Sequence, residues 1–182
     1  MKITDIEAIV GRQDKVKMIG DGSQDTVVVL VHTDEGITGI GEVDSAPEVV
    51  KAIIEAPASH MQCRGLKDIL VGEDPLNVEY LWHKMYYYSY YYTRRSVGIH
   101  AMSGIDIALW DIAGKKLGVP VSRLIGGRFR ETIPAYCSVL MPETEGEIER
   151  LVEHHKKECN YKGFKFGWGA LGKSEKRDVE LV

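Results

Sequence analysis

The apolar positions change rhythm along the chain. Over the first 42 residues they follow the two-residue period of strands: Ile6, Ala8 and Val10 alternate with polar neighbours, and Thr26 to Thr33 is a β-branched run. Asp34, Glu35 and Gly36 supply a turn from that run into a third strand, Ile37 to Glu42, with Gly36 able to take positive φ in a short hairpin loop. A three-stranded antiparallel meander is predicted.

The period then lengthens to that of helices. Ser45 and Glu48 stand in capping-box spacing before Val49, Val50, Ile53 and Ile54, and the stripe stops before Pro57. A second helix is predicted to begin at Asp74-Pro75, placing Val78, Leu81, Trp82 and Met85 on one face. A third runs from about Val97 to Leu117, with Met102, Ile105, Leu109 and Ile112 on one side and a stop at Gly118 to Pro120. Strands first and helices after signal an α+β domain with helices on one sheet face.

From Glu131 the order becomes strand, helix, strand. Ile133 to Leu140 reads as extended, Thr144 with Glu147 caps a helix bearing Ile148, Leu151, Val152 and His155, and Phe164 to Gly167 is extended again. Another amphipathic segment starts near Ser174 and runs to Leu181 and Val182 without a helix-stop signal. Parallel strands need cover on both faces and partners on their edges, so this unit calls for completion by another element, another chain or a downstream segment.

Composition narrows the function. With 44% hydrophobic and 27% charged residues among 182, the chain reads as an ordinary globular protein. A formal net charge of -4 gives no basic field for nucleic acid or anionic lipid, and the charged N-terminus has no apolar run long enough for a leader or a membrane span. Cys63, Cys137 and Cys159 fall in no metal-ligand spacing and suggest neither a disulfide framework nor zinc, so a cytoplasmic location is expected.

Two stretches carry a family resemblance. Thr33-Asp-Glu-Gly-Ile-Thr-Gly-Ile-Gly-Glu42 resembles the hairpin of the enolase-superfamily capping domain. The run Ala101-Met-Ser-Gly-Ile-Asp-Ile-Ala-Leu-Trp-Asp-Ile-Ala-Gly-Lys115, followed by Leu117-Gly-Val-Pro120 and Leu124-Ile-Gly-Gly127, resembles the signature helix of the mandelate racemase/muconate lactonizing enzyme family. The resemblance implies a capping domain over residues 1–130 and the first strands of an incomplete (β/α) TIM-type barrel over 131–182, with the parent chain continuing for about as long again. It also implies chemistry: a carboxylate substrate, such as an acid sugar, bound on Mg²⁺, loss of its α-proton to a base, and metal stabilisation of the enediolate. The implied carboxylate ligands come from later barrel strands, so no metal site is expected among these residues, and the chain alone is expected to be inactive.

One implied catalytic position lies within the chain. The family's second barrel strand often carries Lys-x-Lys, and here the matching strand reads Phe164-Lys165-Phe166-Gly167. Lys165 matches the first lysine; Gly167 stands where the second, the base, would be. That departure favours acid-sugar dehydration by a later histidine over two-base racemisation, with racemase or cycloisomerase activity, or a non-catalytic oligomerisation module, as alternatives. Lys165 is otherwise an exposed lysine on an incomplete sheet.

Other candidates have two readings each. The tyrosine run from Tyr86 to Tyr92, interrupted by Ser89 and followed by Arg94 and Arg95, suits either carboxylate recognition or an interface. A homo-oligomer is expected. The polar segment Lys15 to Asp25, including Asp21, is either a loop closing over substrate or a plain surface loop. Asp44 borders the substrate in relatives, whereas Ser45 and Glu48 are accounted for as a cap. Asp106 and Asp111 are assigned to packing hydrogen bonds, the histidines form no cluster, and the glycines from Gly163 to Gly172 lack a phosphate-loop pattern.

Overall fold

The computed structural model describes residues 1–20 and 22–181. It comprises two units, Met1–Val16 with Gly22–Arg128, and Lys17–Asp21 with Phe129–Val182. In the first unit β1 (Ile3–Arg12), β2 (Asp25–Thr33) and β3 (Thr38–Val43) form an antiparallel sheet in the order β1-β2-β3. The predicted alternation sets its faces: Ile6, Ala8, Val27, Val29, Val31 and Val43 are buried, whereas Ile9 and Ile40 face water. Gly36 turns the β2–β3 hairpin at φ 77°, in the left-handed region open to glycine without a Cβ clash.

Five helices follow: α1 (Pro47–Glu55), α2 (Leu66–Leu70), α3 (Val78–Thr93), α4 (Val97–Leu117) and α5 (Val121–Leu124). The predicted face of α4 is fully buried, Met102, Ile105, Leu109 and Ile112 being at 0% exposure, and Gly118 ends the helix in the left-handed conformation. The signature strings have a packing explanation. A Cβ added to Gly39 would lie 2.1 Å from the Ala108 carbonyl oxygen, one added to Gly41 would lie 1.9 Å from that of Gly104, and one added to Gly104 would lie 2.3 Å from Val43 Cγ2. Helix α4 therefore rests on β3 backbone to backbone. The contact is fixed by Asp111, which accepts the Ile40 N–H at 2.8 Å and the Lys115 ammonium at 2.7 Å, while Lys115 also donates to the Thr38 carbonyl at 2.7 Å. An outward N–H of edge strand β3 is thereby given a partner on the helix.

Three expectations need correction here. Ser45 does not cap α1: Ala46 is the cap residue without a side-chain bond, Pro47 takes the first helical position, Ser45 Oγ meets His100 Nδ1 at 3.0 Å, and Glu48 pairs with Arg12 at 3.3 Å. Proline's fixed φ and missing N–H suit that first position, which moves the helix start one residue beyond a serine cap. Helix α3 begins at Val78 rather than at Pro75, because Asp74 closes a turn of its own, accepting the Leu76 N–H on its side chain at 3.1 Å and the Asn77 N–H on its carbonyl at 3.2 Å. The short α2, whose Leu66, Ile69 and Leu70 are buried, is a single turn with too few residues to show a period. Val49, placed on the inner stripe, is 47% exposed; Val50 and Ile54 carry the burial of α1.

In the second unit β4 (Cys137–Leu140) and β5 (Phe164–Gly167) pair in parallel, joined by α6 (Glu145–Cys159), and α7 (Glu175–Leu181) follows. The capping box at Thr144 and Glu147 is complete, with the Thr144 side chain accepting the Glu147 N–H and the Glu147 carboxylate accepting the Thr144 N–H. The strand expected from Ile133 starts only at Cys137, since the pairing with β5 spans four residues and Ile133, 78% exposed, has no neighbouring strand. No residue of α6 is buried. Among the described residues no helix is long and apolar enough to cross a membrane.

Candidate functional site

A cleft of about 710 Å³ opens at one end of the antiparallel sheet, lined by Gly11, Arg12, Gln13, the turn Gly22–Gln24, Asp25, Thr26, Glu42 and Asp44. Strand register builds it. Arg12 lies opposite Asp25 and Gly11 opposite Thr26 across β1 and β2, and Val28 lies opposite Glu42 across β2 and β3. The Gln13 N–H donates to the Gln24 carbonyl at 2.9 Å and holds the two arms of the loop together. Asp44 Oδ1 would stand 3.4 Å from a Cβ at Gly22, an ordinary contact distance that places the carboxylate beside the glycine at the rim.

The lining is rich in acceptors. Arg12, an arginine of the described lining, stands between two carboxylates, Asp25 at 3.4 Å and Glu48 at 3.3 Å. The Thr26 hydroxyl donates to the Glu42 carboxylate. Carboxylates of this kind accept hydrogen bonds from ligand hydroxyls, and a guanidinium with spare N–H groups can receive a carboxylate. The described lining residues thus offer carboxylates and a guanidinium with which to bind and orient a ligand that carries hydroxyls and a carboxylate.

The candidates read from the sequence are placed as follows. Asp44 lines the cleft, and Asp21 lies outside the described residues. Arg94 and Arg95 follow α3, both exposed, and do not line the cleft. Lys165 is exposed on β5 opposite Ser138, with Phe164 and Phe166 stacked on each other at 6.3 Å. A Cβ at Gly167 would meet nothing within 4 Å, so packing does not exclude a lysine there. Asp111 makes the packing bonds expected of it, and Asp106 is hydrogen-bonded to Trp110. Residues 17–20 group with the second unit, Gly20 lying against Trp168, whose φ is 61°. Sequence reasoning missed Arg12, Asp25 and Glu42. The signal was the hairpin register, which sets the last residue of one strand against the first of the next.

Magnesium calls for convergent oxygen ligands. No group of three His, Cys, Asp or Glu side chains able to hold a metal occurs among the described residues, so these residues do not fit the ion.

Comparison with known proteins gives consistent results. Residues 9–126 match the model of the mandelate racemase/muconate lactonizing enzyme N-terminal domain. Arabinonate dehydratase of Saccharolobus solfataricus is 32% identical over 92% of this chain and 43% of its own length. A D-galactonate dehydratase family member of a Paenibacillus species is 37% identical over 84% of the chain and 34% of its own. Among solved structures, a predicted mandelate racemase from Rhodobacter sphaeroides superposes with TM-score 0.83 at 29% identity over 99% of this chain and 46% of that one. The 3,6-anhydro-D-galactonate cycloisomerase of Zobellia galactanivorans gives 0.77 at 31% identity over 100% and 46%. The chain spans less than half the length of these relatives.

Proposed function

Because the chain belongs to the mandelate racemase/muconate lactonizing enzyme family, we propose that it is the N-terminal part of a Mg²⁺-dependent acid-sugar dehydratase. The observation that carries this reading is an acceptor-rich cleft in a chain similar in sequence to an arabinonate dehydratase and to a D-galactonate dehydratase family member. An acid sugar presents a row of hydroxyl donors and one carboxylate. In the proposed role Asp44, Glu42 and Asp25 accept the hydroxyls, Arg12 orients the chain of carbons, and the segment around Asp21 helps exclude water. The metal would supply charge stabilisation for α-proton loss and is assigned to residues other than those described.

Residues 1–130 serve as the capping domain and 131–182 as the barrel's beginning in this proposal. Lys165 is assigned to the substrate-facing end of the barrel strand. Arg94 and Arg95, which are not among the cleft's lining residues, are assigned no contact with substrate in it. A cycloisomerase is the second reading, favoured by the likeness to the Zobellia enzyme. The glycine at 167 tells against a lysine base in either.

The test compares the 182-residue chain with the same chain continued through its downstream reading frame, each titrated with Mg²⁺ by calorimetry and assayed on a panel of acid sugars. Metal binding and dehydration by the longer protein alone are expected. In that protein Arg12→Ala is expected to raise KM about tenfold with little change in kcat, the loss of roughly one charged hydrogen bond made equally in ground and transition states. Turnover by the short chain would overturn the assignment of the metal, and cycloisomerisation without dehydration would favour the second reading.

A further inference from the structure

Helix α3 has an inner face of Val78, Leu81, Met85, Ser89 and Thr93, all buried. Its outer face is aromatic. Tyr80, His83, Tyr87 and Tyr91 succeed one another at helical spacing, flanked by Tyr86 and Tyr90. Tyr80, Tyr87 and Tyr91 are 55%, 60% and 70% exposed. Tyr87 packs edge-on against Tyr88 at 5.3 Å, Tyr90 takes a hydrogen bond from Gln62 at 3.3 Å, and Tyr91 leans on His60. Tyr87, Tyr90 and Tyr91 thus rest on neighbours of their own chain, which lowers the entropy cost of holding them in an interface.

The stripe is charged at both ends. Glu79 begins it and Arg94 ends it, both exposed, and among the described residues neither forms a salt bridge. The distance between them along the axis is roughly 22 Å at about 1.5 Å per residue. The five outward tyrosines leave between two and three whole side chains' worth of surface in water. That is on the order of 400–700 Å² at about 150–250 Å² each. A patch at or above the roughly 300–600 Å² of a typical monomer's largest one often marks an interaction site, and with its charged rim it approaches the roughly 800 Å² per partner of a stable interface.

We propose that the outer face of α3 pairs with the same face of a second copy of this chain, the two helices antiparallel. A twofold axis between Tyr86 and Tyr87 brings Glu79 of each copy against the partner's Arg94, and His83 against the partner's Tyr90. The patch is complementary to itself in that direction: acid meets base at both ends and rings meet rings at the centre. A parallel arrangement would set Arg94 against the partner's Arg94. The proposal is independent of the catalytic reading, since none of these residues lines the cleft.

Sedimentation equilibrium on the 182-residue chain, from about 1 to 100 μM, tests it. A dimer is expected. Tyr87→Glu, and the milder Tyr87→Ser, are expected to raise the dissociation constant at least tenfold while circular dichroism shows the fold intact. Glu79→Arg and Arg94→Glu should each weaken the dimer, and the double variant Glu79→Arg/Arg94→Glu should restore it to within about threefold, because the pair is exchanged and not removed. A wild-type chain that stays monomeric throughout overturns the proposal. So does a dimer indifferent to Tyr87→Glu, or a double variant no tighter than its single parents.

Discussion

Asp106 lies on α4 with its carboxyl group pushed above the usual aspartate range, first by burial and then by the Glu79 carboxylate, against a hydrogen bond from Trp110 that works the other way. A carboxyl that holds its proton more tightly folded than unfolded costs stability as pH rises from the ordinary aspartate value through the raised one, and costs nothing below both. Asp106→Asn is therefore expected to stabilise the chain near pH 7 and to change little near about pH 3, measured by urea denaturation of both proteins at the two conditions. A gain at acid pH alone would reverse the sign of this argument. Single residues were also where the sequence was hardest to read. Asp44 could be named from its strand-end position, but Arg12 stands beside Asp25 and Glu48 only because three separated segments converge, and nothing in the local pattern around Arg12 announces that.

Among the elements, α4 was fully legible, its bounds Val97–Leu117 following from a long run of apolar positions and a glycine stop. Shorter elements were not. The β4 strand shrank to the four residues that find a partner, and the start of α1 was decided by a proline rather than by the serine two positions before it. What the pattern could not convey was the reason for the glycines at 39, 41 and 104, a distance between two backbones. Gly41→Ala must push α4 off β3, because its Cβ would sit 1.9 Å from a carbonyl oxygen that has no rotamer to move. A loss of about 3 kcal/mol or more is expected, at the upper end of overpacking effects, read as a lower urea midpoint at unchanged slope. Gly36→Ala, in a turn whose added Cβ meets nothing, is the comparison, costing only the strain of a positive φ, about 1 kcal/mol.

At the scale of the whole chain the two units differ in how much they bury. The first holds the cluster running from Ile3 through Ile112; among the described residues of the second, only Cys137, Met141 and Ala170 are below a tenth exposed. Hydrogen exchange on the 182-residue chain should accordingly show β2 and α4 protected to near the global unfolding energy, with β4, β5 and α6 exchanging by local opening many-fold faster. Equal protection in both would mean that the second unit is held by more than its own contacts. The sequence anticipated this imbalance, since a strand, helix and strand offered too little cover for a parallel pair. The same partition gives the molecule an optical label in each unit. Trp82 and Trp110 are half-buried in the first, and Trp168, 78% exposed beside Gly20, belongs to the second. Iodide reaches an exposed indole more readily than a half-buried one, so quenching acts first on the emission of Trp168, and the chain reports on its two units in two colours without any dye.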